Sequence, residues 1–273
     1  MHAFAISVKS VCKANGRQRS TIPSADSVKD VSRMPENQPL FYRSIDSVDR
    51  EVHASKRVRT GTDIFGFAGT SHMIPAVLDE FAAACRHLPI VFLPDNEAPT
   101  PVFLVGIRSG QSLFVDESGA WKGRYVPAFL RRYPFILGEI AQSEPVLCVD
   151  EASALLSDTD GEALFDQGVE TGFLKQIMTL VSGYMEASRR TEAAVKMLRE
   201  ADLFTTVSLE FQNGSGGTNS IQGLWAVDDA KLQSLSEARL LALHSQRLLG
   251  PIYAHLLSLG AVEALGDLEK RLN

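Results

Sequence analysis

Between Trp121 and Phe135 the chain reads Trp-Lys-Gly-Arg-Tyr-Val-Pro-Ala-Phe-Leu-Arg-Arg-Tyr-Pro-Phe, four cations and five aromatic rings in fifteen residues. Arg124, Arg131 and Arg132 offer planar guanidinium groups, which can hold a carboxylate or phosphate through two parallel N–H bonds. Trp121, Tyr125 and Tyr133 offer flat faces on which a ring, a cation or a peptide plane can rest. These six are the candidate ligand-binding residues, and the chemistry they suit is recognition of a peptide or an anionic group. The competing reading makes the rings cement between a sheet and its helices, with the arginines paired to Asp116, Glu117 or Asp150.

Residue patterns that break bonds are not found by spacing. Gly214-Ser215-Gly216-Gly217 lacks the Gly-Lys-Ser/Thr end of a phosphate-cradling loop and lies between strand candidates, so a hairpin turn is expected. Asp158-Thr159-Asp160-Gly161 starts like a calcium loop but has no ligand ladder or closing glutamate, which leaves a capped turn. The histidines His2, His53, His72, His87, His244 and His255 include no HExxH or HxH pair. Glu80 and His87, seven apart, would share one helical face with His72 just upstream, and a metal cluster there stays open as an alternative. Neither Gly-x-Ser-x-Gly nor Ser-x-x-Lys stands in a strand-turn-helix setting. No catalytic residue, metal or cofactor is assigned; a site assembled from distant residues such as His53, His72, Glu80 and Asp150 is the enzymatic alternative, since a triad's geometry cannot be read from spacing.

Composition narrows the class of protein. With 273 residues, 45% of them hydrophobic, the chain can bury one large core or two modest ones. Residues 1–37 carry six basic and three acidic side chains, leaving 21 basic against 30 acidic in the remainder. A body at −9 repels a polyanion, so no nucleic-acid partner is expected. Apolar runs such as 90–94 and 101–107 fall far short of the roughly 20 residues of a spanning helix, and the start lacks the basic-then-apolar order of a signal peptide. No membrane insertion and a cytoplasmic location follow as expectations. Cys12, Cys85 and Cys148 are odd in number and widely spaced, which suits reduced thiols, the latter two buried.

The elements that must position these groups begin near Gln38. Residues 1–37 are Ser-, Lys- and Arg-rich without sustained period and are expected to be a disordered extension, with Met34 as an alternative start. Pro75 is expected to open a helix with apolar residues Val77, Leu78, Phe81, Ala82, Cys85 and Leu88 on one face. Strand candidates follow at Ile90–Leu93, Val102–Ile107, Ser112–Val115, Gly123–Val126 and Val146–Val149, and gaps this short join antiparallel neighbours. Residues 131–138, bracketed by Pro127 and Pro134, fit neither period. A long helix over 168–201 carries Phe173, Ile177, Leu180, Tyr184, Ala187, Thr191, Ala194 and Leu198 at three- and four-residue steps. A hairpin of 204–211 with 220–226 comes next, then helices capped by Asp228 or Asp229 and by Ser236, with Pro251 opening a last one. The expected fold is a single α+β domain over 38–273, a largely antiparallel sheet packed against several helices.

Several of these stretches also resemble a known family. Leu88-Pro89-Ile90-Val91-Phe92, Leu104-Val105-Gly106, Leu113-Phe114-Val115-Asp116, Gly119-Ala120-Trp121 and Leu147-Cys148-Val149-Asp150 are similar to the bacterial SapC family. So is the run Tyr125-Val126-Pro127-Ala128-Phe129-Leu130-Arg131-Arg132-Tyr133-Pro134-Phe135, which contains Tyr-x-Pro-x-x-x-Arg-x-Tyr-Pro-Phe. The resemblance runs from about residue 40 to 265. It implies a link to surface-layer proteins and an accessory or substrate-handling role; members are also labelled peptidases, without a motif that carries onto this chain. The peptide-transport permease of the same name is excluded, because a permease needs spanning helices. Taken together, the expectation is a non-catalytic protein that binds a peptide, a surface protein or a partner enzyme.

Overall fold

Short apolar runs punctuated by proline and glycine build two main sheets, and one long helix packs against both. The computed structural model describes residues 39–95, 98–138, 144–212 and 218–272; the expected disordered extension over 1–37 and the glycine-rich turn at 213–217 lie outside them. Strands β1 (Ile45–Ser47), β2 (Arg57–Val58) and β3 (Met73–Pro75) precede helix α1 (Leu78–Ala84) and the strands β4 (Ile90–Leu93) and β5 (Thr100–Leu104). A long irregular stretch then leads to the one-turn helix α2 (Ala128–Arg131), β6 (Phe135–Gly138) and β7 (Val146–Asp150). Four two-residue strands, β8 (Leu156–Ser157), β9 (Glu162–Ala163), β10 (Phe165–Asp166) and β11 (Val169–Glu170), end at α3 (Gly172–Glu200). The hairpin β12 (Phe204–Gln212) and β13 (Thr218–Val227) and helices α4 (Asp229–Gln233), α5 (Glu237–Ser245), α6 (Leu249–Ser258) and α7 (Ala261–Leu272) complete the α+β fold.

The larger sheet has the order β12-β13-β4-β5-β3 and the smaller β1-β7-β6, with β8-β2-β9 and the β10-β11 ribbon beside them. Pairing is antiparallel in each; the short connections require this of β4 with β5, β6 with β7 and β12 with β13, and the distant pairs β1 with β7 and β3 with β5 have the same direction. Two of the expected strands do not form. Residues 112–115 and 123–126 stay irregular, with one isolated bridge from Val115 to Trp121, because the free edge of β5 is taken by β3 from earlier in the chain. Pro75 is likewise a correction: it ends β3 instead of opening a helix, and α1 begins at Leu78. A proline suits that edge strand, whose outer side needs no N–H donor.

The 29 residues of α3 make a rod of about 43 Å. It begins at Gly172 and not at Gly168, because β11 uses Val169 and Glu170 and the Thr171 side chain caps the helix, accepting the Leu174 N–H. Leu174 and Val181 pack with the smaller sheet, whereas Tyr184, Ala187, Ala194, Val195 and Leu198 pack with the larger. At the start of β4, helix α6 replaces ladder bonds with side chains. Ser258 Oγ accepts the Ile90 N–H, His255 Nδ1 lies 3.0 Å from the Ile90 carbonyl oxygen, and His255 Nε2 accepts the Val227 N–H at 2.9 Å.

Candidate functional site

The aromatic and arginine-rich segment runs along the seam between the two sheets, and its six candidate residues divide into an outer and an inner set. In the outer set, Trp121 is half-buried, stacked on Phe114 with centroids 5.3 Å apart, and its indole N–H donates to the Tyr125 carbonyl at 2.9 Å. Tyr125 is half-buried and donates its hydroxyl to Glu80 Oε1 at 2.7 Å. Arg124 is exposed, and so is Arg131, whose Nε donates to the Val126 carbonyl at 3.1 Å. Neither of these arginines enters an ion pair among the described residues. The Asp116 carboxylate, suggested as an arginine partner, instead binds Lys122 and its own turn.

The inner set faces the core. After Arg131 the chain turns inward at the end of α2, through a cis Tyr133–Pro134 peptide, to enter β6. Tyr133 is buried, lies on Phe67 with centroids 4.1 Å apart, and donates its hydroxyl to Asp150 Oδ2 at 2.9 Å. Burial pushes that phenol up to about 12, so it remains a donor at neutral pH. Arg132 keeps 8% of its surface exposed. Its Cζ lies 4.4 Å from the ring centroids of both Phe129 and Tyr184, with the Tyr42 ring at 5.7 Å. The segment therefore presents Trp121, Arg124, Tyr125 and Arg131 outward and does not bring Arg132 and Tyr133 to the same surface.

Glu80 ties the outer set to α1 and α2. It sits at the third position of α1 and accepts the Val77 N–H at the helix start, while its Oε1 accepts the Ala128 N–H at 2.6 Å together with the Tyr125 hydroxyl. Burial raises the Glu80 carboxyl above its ordinary range, opposed by these three hydrogen bonds and by the charge of Arg131. Glu80→Ala strands three donors, two of them in the core, and is expected to cost about 2–4 kcal/mol in urea unfolding. Glu80→Gln, which keeps one oxygen toward Tyr125 and Ala128, should cost much less. Equal midpoints for the alanine variant and the wild type would show that this knot holds nothing.

The residues of the enzymatic alternative stay apart in their bonding. His53 Nε2 lies 2.5 Å from Glu151 Oε1, Glu80 is committed to α1 and α2, and Asp150 accepts the N–H groups of Ser44 and Ala152 besides the Tyr133 hydroxyl. His72 is half-buried, and that burial lowers its pKa. Glu80 and His87 do not share a helical face, since α1 ends at Ala84. Among the described residues no group of three or more His, Cys, Asp and Glu gathers as a metal site would need, and no single helix is long and apolar enough to cross a membrane. Cys85 and Cys148 are both buried.

Spacing did not reveal three rings that complete the inner set. In the sequence Phe129 stands only as part of the segment and Tyr184 as one residue of the α3 stripe, and no pattern singles out Tyr42. Each was legible as apolar surface, but nothing local says that all three meet one guanidinium.

Compared with known proteins, residues 48–265 match the family model described as SapC. No curated protein and no solved structure matches the chain.

Proposed function

The chain belongs to the SapC family, and from that premise we propose that it is a non-catalytic, cytoplasmic accessory protein that binds a peptide or a protein through the Trp121–Arg131 face. The link to surface-layer or secretion-associated systems enters through the family alone. What supports the binding reading is the exposure of Arg124 and Arg131, without ion-pair partners among the described residues, beside the half-buried rings of Trp121 and Tyr125. In a molecule whose net charge is −6, this concentrates positive charge next to stacking surface. A structural cation would be expected to pair with one of the abundant carboxylates.

Thermal-shift titration with short acidic and aromatic peptides tests the reading. Saturable stabilisation is expected, weakened at least tenfold, or about 1.4 kcal/mol, in an Arg124→Ala, Arg131→Ala double variant. Both side chains are exposed, so that variant should melt like the wild type without peptide. A peptide panel that leaves the wild-type melting temperature unmoved would make the segment scaffold and remove the proposed face.

A further inference from the structure

We propose that Arg132 anchors a binding site for a single carboxylate, of the kind a peptide C terminus presents, at the seam between the two sheets. This rests on the peptide-binding reading above and narrows it to one chemical group. The carrying observation is an arginine more than nine-tenths buried whose Nε has no hydrogen-bond partner, and whose side chain makes no hydrogen bond to a described residue. The Phe129 and Tyr184 rings lie beside it, each centroid 4.4 Å from Cζ and the two rings edge-to-face with each other at 6.1 Å. The rings answer the positive charge, but they offer no oxygen or nitrogen acceptor to its N–H fork. That fork matches the spacing of two carboxylate oxygens.

Two acids lie within electrostatic range of the same cage, and neither closes it. Tyr184 feels both Arg132 and Glu80, while Tyr42 feels both Arg132 and Asp150. Glu80 is occupied by Tyr125, Ala128 and Val77, and Asp150 by Tyr133, Ser44 and Ala152. Their negative charge offsets the guanidinium without using its donors. A phosphate dianion would face both carboxylates with one inner cation to balance it, whereas a monocarboxylate adds a single charge and takes the fork.

The test uses the full chain and acetylated tripeptides ending in Phe, Leu or Asp, each as the free acid and as the C-terminal amide. Acetate and inorganic phosphate serve as the small-anion arms. The free acids should bind at least tenfold more tightly than their amides in calorimetric titration, with acetate competing and phosphate failing to compete. Arg132→Met fills the same aromatic slot without the fork; it should still melt cooperatively and should bind acid and amide alike. Equal binding of acid and amide to the wild type would overturn the proposal while leaving the outer peptide-binding face standing. So would a preference for phosphate, or acid-selective binding that survives in Arg132→Met. Should Arg132→Met fail to fold, the Arg124→Ala, Arg131→Ala double variant decides the question: an acid preference that persists without the two exposed arginines supports Arg132, and its disappearance overturns the proposal. Failure of every peptide in both forms would remove the broader reading as well.

Discussion

Replacing Asp150 with alanine is expected to lower the folding free energy by about 2–4 kcal/mol, read as an earlier midpoint in urea unfolding followed by tryptophan fluorescence. Asp150 is fully buried at the end of β7, and its two oxygens serve three donors: the N–H groups of Ser44 and Ala152 and the hydroxyl of Tyr133. Removing the carboxylate leaves the buried Tyr133 hydroxyl without an acceptor, whereas the N–H groups of the exposed Ser44 and Ala152 can turn in part to water. Asp150→Asn is the control. Its remaining oxygen can serve the two N–H groups, and the Tyr133 hydroxyl can reverse to accept from the new amide, so a cost of about 1 kcal/mol is expected. An alanine variant as stable as the asparagine one would mean that the donors find other partners.

Acidification is expected to destabilise the protein between about pH 6.5 and pH 4 through His255. The imidazole is fully buried, with Nδ1 beside the Ile90 carbonyl oxygen and Nε2 accepting the Val227 N–H, an arrangement that requires the neutral ring protonated at Nδ1. Burial lowers its pKa from the ordinary 6.5 to about 4. In that interval the unfolded chain binds a proton that the folded chain refuses, so stability is complete above 6.5 and falls as pH drops toward 4. A displacement of this size corresponds to about 3 kcal/mol. His255→Gln removes the titrating group and should flatten this part of the stability-pH curve, at a fixed cost from imperfect replacement of two core hydrogen bonds. An unchanged slope in the variant would assign the acid sensitivity to other groups.

These two residues also mark how far local patterns reach. The helical stripe of α3, the caps at Asp228 and Thr171, and the hairpin of β12 and β13 depend on neighbours within a few positions, and the antiparallel class depends on short connections. Ser236 stands at its expected N-terminal position although its side chain makes no capping bond. Pairing across the chain does not obey such rules. That β5 pairs with β3 and leaves residues 112–115 irregular is decided by an earlier segment arriving at an open edge. Likewise, His255 had the spacing of any core-edge histidine until α6 placed it against two strand backbones.

The sequence by itself determined the α+β class, the family and the concentration of cations and rings at 121–135, because composition, period and motif are properties of short stretches. Only the tertiary structure decided which arginine serves which environment. Arg131 and Arg132 are adjacent and chemically identical, yet one ends a helical turn in solvent and the other enters a cage built from Tyr42, Phe129 and Tyr184. Burial is set by what packs against a side chain, and here two of those partners come from parts of the chain remote from the segment itself.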